Sequence, residues 1–112
     1  MISISSNTKI YVHTNPVDFR KGIDGFASVC KSELALDPFS GAMFVFTNRR
    51  RSALKILYYD GQGFWIYHKR LSRGKFKWWP AGKISTSIAA KDLAVLVWNG
   101  NPEESQMQSN WR

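Results

Sequence analysis

Apolar positions recur at two different periods along this chain. After Asp18, the residues Ile23, Phe26, Ala27, Cys30 and Leu34 fall three and four apart, the spacing of one helix face. This predicts a helix over about residues 19–35, with Asp18 as its N-cap. Gly22 and Gly25 weaken such a helix, and their expected use is to let it lie close to other backbone. Asp37-Pro38 ends it and Ser40-Gly41 turns the chain. The period then shortens to two. Met43 to Thr47 is an apolar run of strand length, and Ala53 to Tyr59 alternates Leu54, Ile56 and Tyr58 with Lys55, Leu57 and Tyr59. Phe64 to Leu71 alternates Phe64, Ile66 and His68 with Trp65, Tyr67 and Lys69. Asp60-Gly61-Gln62-Gly63 between the last two runs is a strong hairpin signal. Lys75 to Trp79 reads as a further strand after the Ser72-Arg73-Gly74 turn, and Ile10 to Val12 as a short strand before Asn15-Pro16.

Ile84 to Ser87 is ambiguous. Ser85, Thr86 or Ser87 could cap a second helix running to about Trp98, with Leu93, Leu96 and Val97 on its apolar face, until Asn99-Gly100-Asn101-Pro102 stops it. The expected fold class is α+β: an antiparallel meander of four to five strands, one helix packed on a face and a second near the C-terminus. Residues 1–8 read as a loose lead-in, 9–100 as a single domain, and 101–112 as a polar, mobile tail. The helix is expected to cover Leu54, Ile56, Phe64 and Ile66 or their alternates. The opposite face would then show Lys55, Tyr59, Trp65, Tyr67 and Lys69, an inference that a one-residue change of register inverts.

Charge changes the picture more than composition does. The 112 residues carry a formal net charge of +8. Between residues 49 and 77 stand Arg49, Arg50, Arg51, Lys55, Lys69, Arg70, Arg73, Lys75 and Lys77 with one acid, Asp60, so this stretch holds the whole net charge. Rings are interleaved with these cations, among them Tyr58, Tyr59, Trp65 and Tyr67. That mixture is the footprint of a nucleic-acid surface, with cations on phosphate and rings available for stacking. A solvated basic face over an aromatic core has the same composition. In a meander alternate connections share an end of the sheet, so the arginine connection and the Ser72-Arg73-Gly74 turn should be neighbours and gather Arg49, Arg50, Arg51, Arg70, Arg73 and Lys75.

Other chemistry finds little support. His13, His68 and Cys30 lack metal-site spacing, and Cys30 sits in the apolar helix stripe as a buried structural thiol. Each acid has a structural reading, so no carboxylate cluster for metal-dependent phosphodiester chemistry stands out. No catalytic residue, metal or cofactor is expected. The single cysteine excludes an internal disulfide and fits a reduced, cytoplasmic setting. No apolar run reaches the roughly 18 residues that span a membrane.

Several segments together resemble a known family. These are Asp18-Phe19-Arg20-Lys21-Gly22-Ile23-Asp24-Gly25-Phe26, then Asp37-Pro38-Phe39-Ser40-Gly41, Phe44-Val45-Phe46 and Asn48-Arg49-Arg50-Arg51. Lys55-Ile56-Leu57-Tyr58-Tyr59-Asp60-Gly61, Lys69-Arg70-Leu71 and Gly74-Lys75-Phe76 continue the series. They resemble the TnpB accessory family, products of the second open reading frame of bacterial insertion sequences of the IS-66 type. That family shares only a name with an RNA-guided nuclease. The resemblance spans about residues 9–100 and implies a role in transposition beside a separate transposase. It implies no catalytic residues.

The expected function is thus a non-catalytic accessory protein that binds DNA, duplex element ends above all. Phosphate contacts would come from the nine basic residues named, with stacking or interface contacts from Tyr59, Trp65 and Tyr67. The alternatives are an adaptor docking on the transposase through Trp65, Tyr67, Trp78 and Trp79, or a small metal-dependent nuclease that depends on Asp24 or Asp60.

Overall fold

A computed structural model of the chain describes residues 4, 5 and 7–103. Much of the lead-in expected at 1–8, and the tail expected at 101–112 from residue 104 onward, lie outside the described residues. The elements are β1 (Ile10–His13), α1 (Ile23–Ser32), β2 (Met43–Thr47), β3 (Ala53–Tyr59), β4 (Phe64–Arg70), β5 (Ser85–Ser87) and α2 (Ala90–Val97). They form an α+β domain around one five-stranded sheet of order β4-β3-β2-β1-β5.

β2 to β4 follow the expected antiparallel meander, closed by the Asp60–Gly63 hairpin in which the Asp60 N–H donates to the Gly63 carbonyl. The sheet as a whole is mixed, because β1 pairs parallel with β2. The reason is the crossover: α1 carries the chain from the end of β1 back to the start of β2, as a parallel connection requires.

β2 is the centre of the sheet and all five of its residues are buried. Each face therefore has its own core. On one side α1 places Phe26, Val29, Cys30 and Leu34 against Phe44, Phe46 and Leu57. On the other, Leu93 and Leu96 of α2 join Phe76 and Trp79 over Ile10, Val12, Met43, Val45, Leu54 and Ile56.

Several expectations are corrected. α1 starts at Ile23 rather than residue 19, with Gly22 as N-cap. Asp18 caps no helix; its carboxylate accepts the Arg20 backbone N–H, while the Val17 N–H donates to the Thr47 carbonyl and ties this loop to β2. Ile23 is exposed instead of inward. Gly22 and Gly25 serve no close backbone approach: a Cβ at Gly22 would meet nothing, and one at Gly25 only the Lys21 side chain.

Lys75 to Trp79 is not a strand. Both of its inward rings, Phe76 and Trp79, lie on a sheet face, and the Trp79 indole N–H donates to the His13 carbonyl at 3.0 Å. The fifth strand is Ser85–Ser87, which takes the free edge of β1 and so cannot cap α2.

α2 ends in a paired closure: the Asn99 N–H donates to the Leu96 carbonyl and the Gly100 N–H to the Val95 carbonyl. Asn99 adopts the left-handed conformation this closure needs, at φ 60°. Its side chain also accepts the Lys77 N–H at 2.7 Å and donates to the Lys75 carbonyl at 3.3 Å. One residue thus ends the helix and pins the 71–84 segment. Asn99→Ala is expected to cost about 1–2 kcal/mol. Asn99→Gly is expected to cost less, since glycine takes positive φ freely. Urea denaturation of the two variants checks the order.

Candidate nucleic-acid interface

The strand directions bring three connections to one end of the sheet: residues 14–22, 48–52 and 71–84. Hydrogen bonds hold them side by side. The Leu71 N–H donates to the Ser52 carbonyl and the Phe76 N–H to the Arg51 carbonyl, both at 2.8 Å. Lys83 and Ile84 offer their carbonyls to the Thr14 hydroxyl, and the Ile84 carbonyl also takes the Thr14 N–H. The arginine connection and the 71–76 turn are therefore neighbours, as the meander geometry requires.

The arginine connection has a rigid frame. The Asn48 side-chain carbonyl accepts the N–H groups of Ser52 and Ala53, and the Arg51 N–H closes on the Asn48 backbone carbonyl at 3.0 Å. Arg51 sits at φ 55°. This frame is built by Asn48 and by backbone, so the three arginine side chains are left outside it. Arg49, Arg50 and Arg51 are all exposed, as are Arg70, Arg73, Lys75 and Lys77. The same end carries exposed Arg20, Lys21 and Lys83, which the charge run between residues 49 and 77 does not include. The signal for Arg20 and Lys21 stood in the Asp18–Phe26 block, where they read as the start of a helix.

Between two of these connections is an open cleft of about 450 Å³, lined by Pro16, Val17, Asp18, Phe19, Arg20, Asn48, Arg49 and Arg50. Its one acid is held by its neighbour. The Arg20 guanidinium donates to both Asp18 oxygens at 2.9–3.1 Å. These bonds, then the Arg20 backbone N–H, pull the Asp18 carboxyl down to about 2. The cleft thus keeps the positive charges of Arg49 and Arg50 with no further acid against them.

Two other expected cations are engaged elsewhere. Lys55 is on the α1 face; its ammonium donates to the Phe19 carbonyl at 3.0 Å and lies over the rings of Phe19 and Phe26. Lys69 is on the α2 face, donates to the Val97 carbonyl at the C-terminus of α2, and lies 5.2 Å from the centre of the Trp98 ring. A cation there complements the helix dipole.

The expected single basic-aromatic face does not exist. The pairing of Tyr59 with Phe64 puts Lys55 and Tyr59 on the face of Phe64, Ile66 and His68, while Trp65, Tyr67 and Lys69 point to the other. Tyr59 packs edge-on against Phe39 and tilted against Phe64, with its hydroxyl on the Gly61 carbonyl. Trp65 stacks on Tyr67 and donates its indole N–H to Asp60 at 2.8 Å, a bond that, with the Gly63 and Gln62 amides, lowers the Asp60 carboxyl. Tyr59 and Trp65 therefore stand at the hairpin end on opposite faces, away from the arginine end, and Tyr67 stands in mid-strand. Trp79 is buried and Trp78 partly so.

The remaining chemistry-bearing groups are structural. Burial pushes the Cys30 thiol up to about 12. His13 is buried; its Nδ1 accepts the Asn15 N–H, which fixes the proton on Nε2, 3.0 Å from Glu33 Oε1. This pair was not visible in the sequence, where the two residues stand twenty apart. Among the described residues no three His, Cys, Asp or Glu side chains converge. No helix among them is long and apolar enough to cross a membrane.

Comparison with known proteins assigns this frame. The profile described as IS66 Orf2-like protein matches residues 8–107. The chain belongs to the IS66 Orf2-like family. Its relatives include the proteins called uncharacterized protein y4jC and uncharacterized protein y4hO in Sinorhizobium fredii. The first is 36% identical over 97 residues, 87% of this chain and 83% of the relative. The second is 32% identical over 112 residues, all of this chain and 96% of the relative. No solved structure matches. Membership in the IS66 Orf2-like family makes the chain an accessory protein of an insertion sequence, and it covers the whole basic end.

Because Asp18 is depressed, its bonds to Arg20 contribute above the ordinary carboxylate range and are lost as pH falls through about 2. Titration followed by NMR is expected to place the Asp18 midpoint near there. In Arg20→Ala it should rise part of the way toward 3.8, because the backbone N–H of residue 20 remains.

Proposed function

We propose that this IS66 Orf2-like protein is a non-catalytic DNA-binding factor of transposition that grips duplex phosphates with the arginine end of its sheet. The observation that carries the reading is the pair of bonds from Leu71 and Phe76 to Ser52 and Arg51. They hold two exposed basic connections against each other on a frame that needs none of the cations for its own stability. Arginine suits this role because its planar fork meets phosphate oxygens through two parallel bonds. The phosphate set is Arg49, Arg50, Arg51, Arg70, Arg73 and Lys75, with Arg20, Lys21 and Lys83 at its border. Lys77 is exposed beside α2 and stands at the margin. Lys55 and Lys69 are left out, since their ammonium groups already bond carbonyls inside the fold.

Contacts of this kind fix position and orientation without reading bases. Preference for an element end would then come from DNA shape or from a protein partner of the same element, the transposase being the natural candidate. The cytoplasm, where such an element and its transposase meet, is the expected site of action.

Neutralising about five phosphates gives log affinity against log salt a slope of roughly −4 to −5 on duplex DNA. Replacing Arg49, Arg50 and Arg51 by Ala is expected to make that slope shallower by roughly 2–3 while leaving the far-UV spectrum unchanged. Lys69→Met is expected to leave the slope alone and lower stability. Fluorescence anisotropy over a salt series measures both, and a triple variant with the parent slope would remove the arginine connection from the interface.

A further inference from the structure

β4 is the edge of the sheet, and nothing among the described residues pairs with its outer side. The ladder to β3 fixes which backbone groups are involved. Asp60 bonds Gly63 at one end and Leu71 bonds Ser52 at the other. Between them the register runs through seven consecutive pairs without a bulge. Alternation along an antiparallel ladder then assigns the bonds with β3 to Trp65, Tyr67 and Lys69. The N–H and C=O groups of Phe64, Ile66, His68 and Arg70 point outward, and none of these amides donates to another segment of the described residues.

Such an edge is normally blocked by proline, a bulge or a charge in mid-strand. β4 has no proline. Its mid-strand residues are Trp65, Ile66, Tyr67 and His68, and the one ammonium on the α2 side, Lys69, is turned back onto α2. Partial burial, then Lys55 and Arg70, lower the His68 pKa, so its ring is neutral at pH 7.

We propose that the outer edge of β4 is a pairing site for β4 of a second copy of this chain, giving a two-fold dimer with one continuous ten-stranded sheet. The sequence of the strand is complementary to its own reverse. An antiparallel pair centred on Tyr67 sets Ile66 opposite His68 and Phe64 opposite Arg70, the residues whose backbone groups point outward. On the α2 side it sets Trp65 opposite Lys69, a ring facing a cation, as Lys69 already faces Trp98. Continuing the register brings the Asp60 hairpin of one copy beside the Ser72-Arg73-Gly74 turn of the other. The single acid of the most basic stretch thus meets cations, and the two arginine ends go to opposite poles, where they repel least. Residue i meets j and j meets i, as a two-fold interface demands. This pairing rests on backbone and register and does not depend on the DNA reading. Where both hold, one dimer offers two phosphate-binding ends and can bridge two duplex segments.

The test is the mass of the full chain in solution, by analytical ultracentrifugation across micromolar concentrations, with three forms. The parent is expected to sediment as two chains. His68→Pro removes an outward N–H that the β3 ladder does not use, a position where proline is tolerated. It is expected to sediment as one chain with an unchanged far-UV spectrum. Tyr67→Cys places two thiols across the two-fold axis in a non-hydrogen-bonded pair, about 4.5 Å apart at Cα, within disulfide range. Mild oxidation is expected to link it into a covalent dimer, whereas buried Cys30 leaves the parent unlinked. The cross-link decides should the proline variant fail to fold. A parent of single-chain mass at every concentration overturns the proposal, as does a dimer that survives His68→Pro or a Tyr67→Cys variant that does not cross-link. A single-chain parent that binds a polyglutamate peptide through β4, with binding lost in His68→Pro, assigns the edge to an acidic strand instead and overturns it equally.

Discussion

The run Met43–Thr47 has to be covered on both sides, because every residue of it is buried and successive side chains leave the sheet in opposite directions. α1 covers one side from within the β1–β2 crossover. The other side has no long helix to meet it. α2 is only Ala90–Val97, and it covers the sheet together with the irregular segment that delivers Phe76 and Trp79. That segment must therefore cross from the β4 edge to the β5 edge along one end of the sheet, bonding Ser52, Arg51, His13 and Thr14 on its way. The gathering of exposed cations at that end follows from the same requirement. Arg73, Lys75 and Lys83 are carried there because the rings between them are needed below.

Positive charges crowded together would open a fold unless the backbone bearing them were fastened by other means. Here the fastening is neutral. Asn48 holds the arginine connection, Asn99 holds residues 75 and 77, and the Thr14 hydroxyl holds Lys83 and Ile84. Among the described residues the one ion pair in the region, Arg20 with Asp18, lies within its own loop and ties no two connections together. The cations at this end can accordingly be removed or neutralised by a ligand without loss of the bonds that position them. Stability and charge are carried by different atoms, which is the condition a phosphate-binding surface has to meet.

Parts of this arrangement are legible in local sequence pattern. Alternation and the Asp60-Gly61 turn located β3 and β4. The apolar run located β2, and the alternating ends of a meander placed the 71–76 turn beside the arginines. Three things depended on how the elements meet. Lys75 to Trp79 alternates as a strand does, but Phe76 and Trp79 are used face-on as a lid, which draws the segment across the end of the sheet and away from the open β4 edge. Ser85-Thr86-Ser87 has no apolar residue, and becomes a strand only because β1 offers it an edge. Alternation shows which residues share a face within one strand but not which faces join between strands. That was set by the pairing of Tyr59 with Phe64, which separates Lys55 and Tyr59 from Trp65, Tyr67 and Lys69.

The interleaving of rings and cations that marks residues 49–79 is thus two patterns superposed. In the strands, Lys55 and Lys69 alternate with rings because each ammonium is bonded to a carbonyl and lies against an aromatic face, so their charge serves the fold. In the β2–β3 connection, Arg49, Arg50 and Arg51 are exposed because Asn48 and the backbone close the turn and ask nothing of the arginine side chains. The division follows chemistry as well as position. A lysine can bury its stem and deliver a compact charge to one carbonyl, whereas a guanidinium has five donors to satisfy and is better left for a ligand with several acceptor oxygens. The two strand cations engaged in this way are lysines, and the three cations of the β2–β3 connection are arginines. At Lys55, Lys69, Arg49, Arg50 and Arg51 residue type thus follows use, lysine where the charge serves the fold and arginine where it stands exposed on a turn.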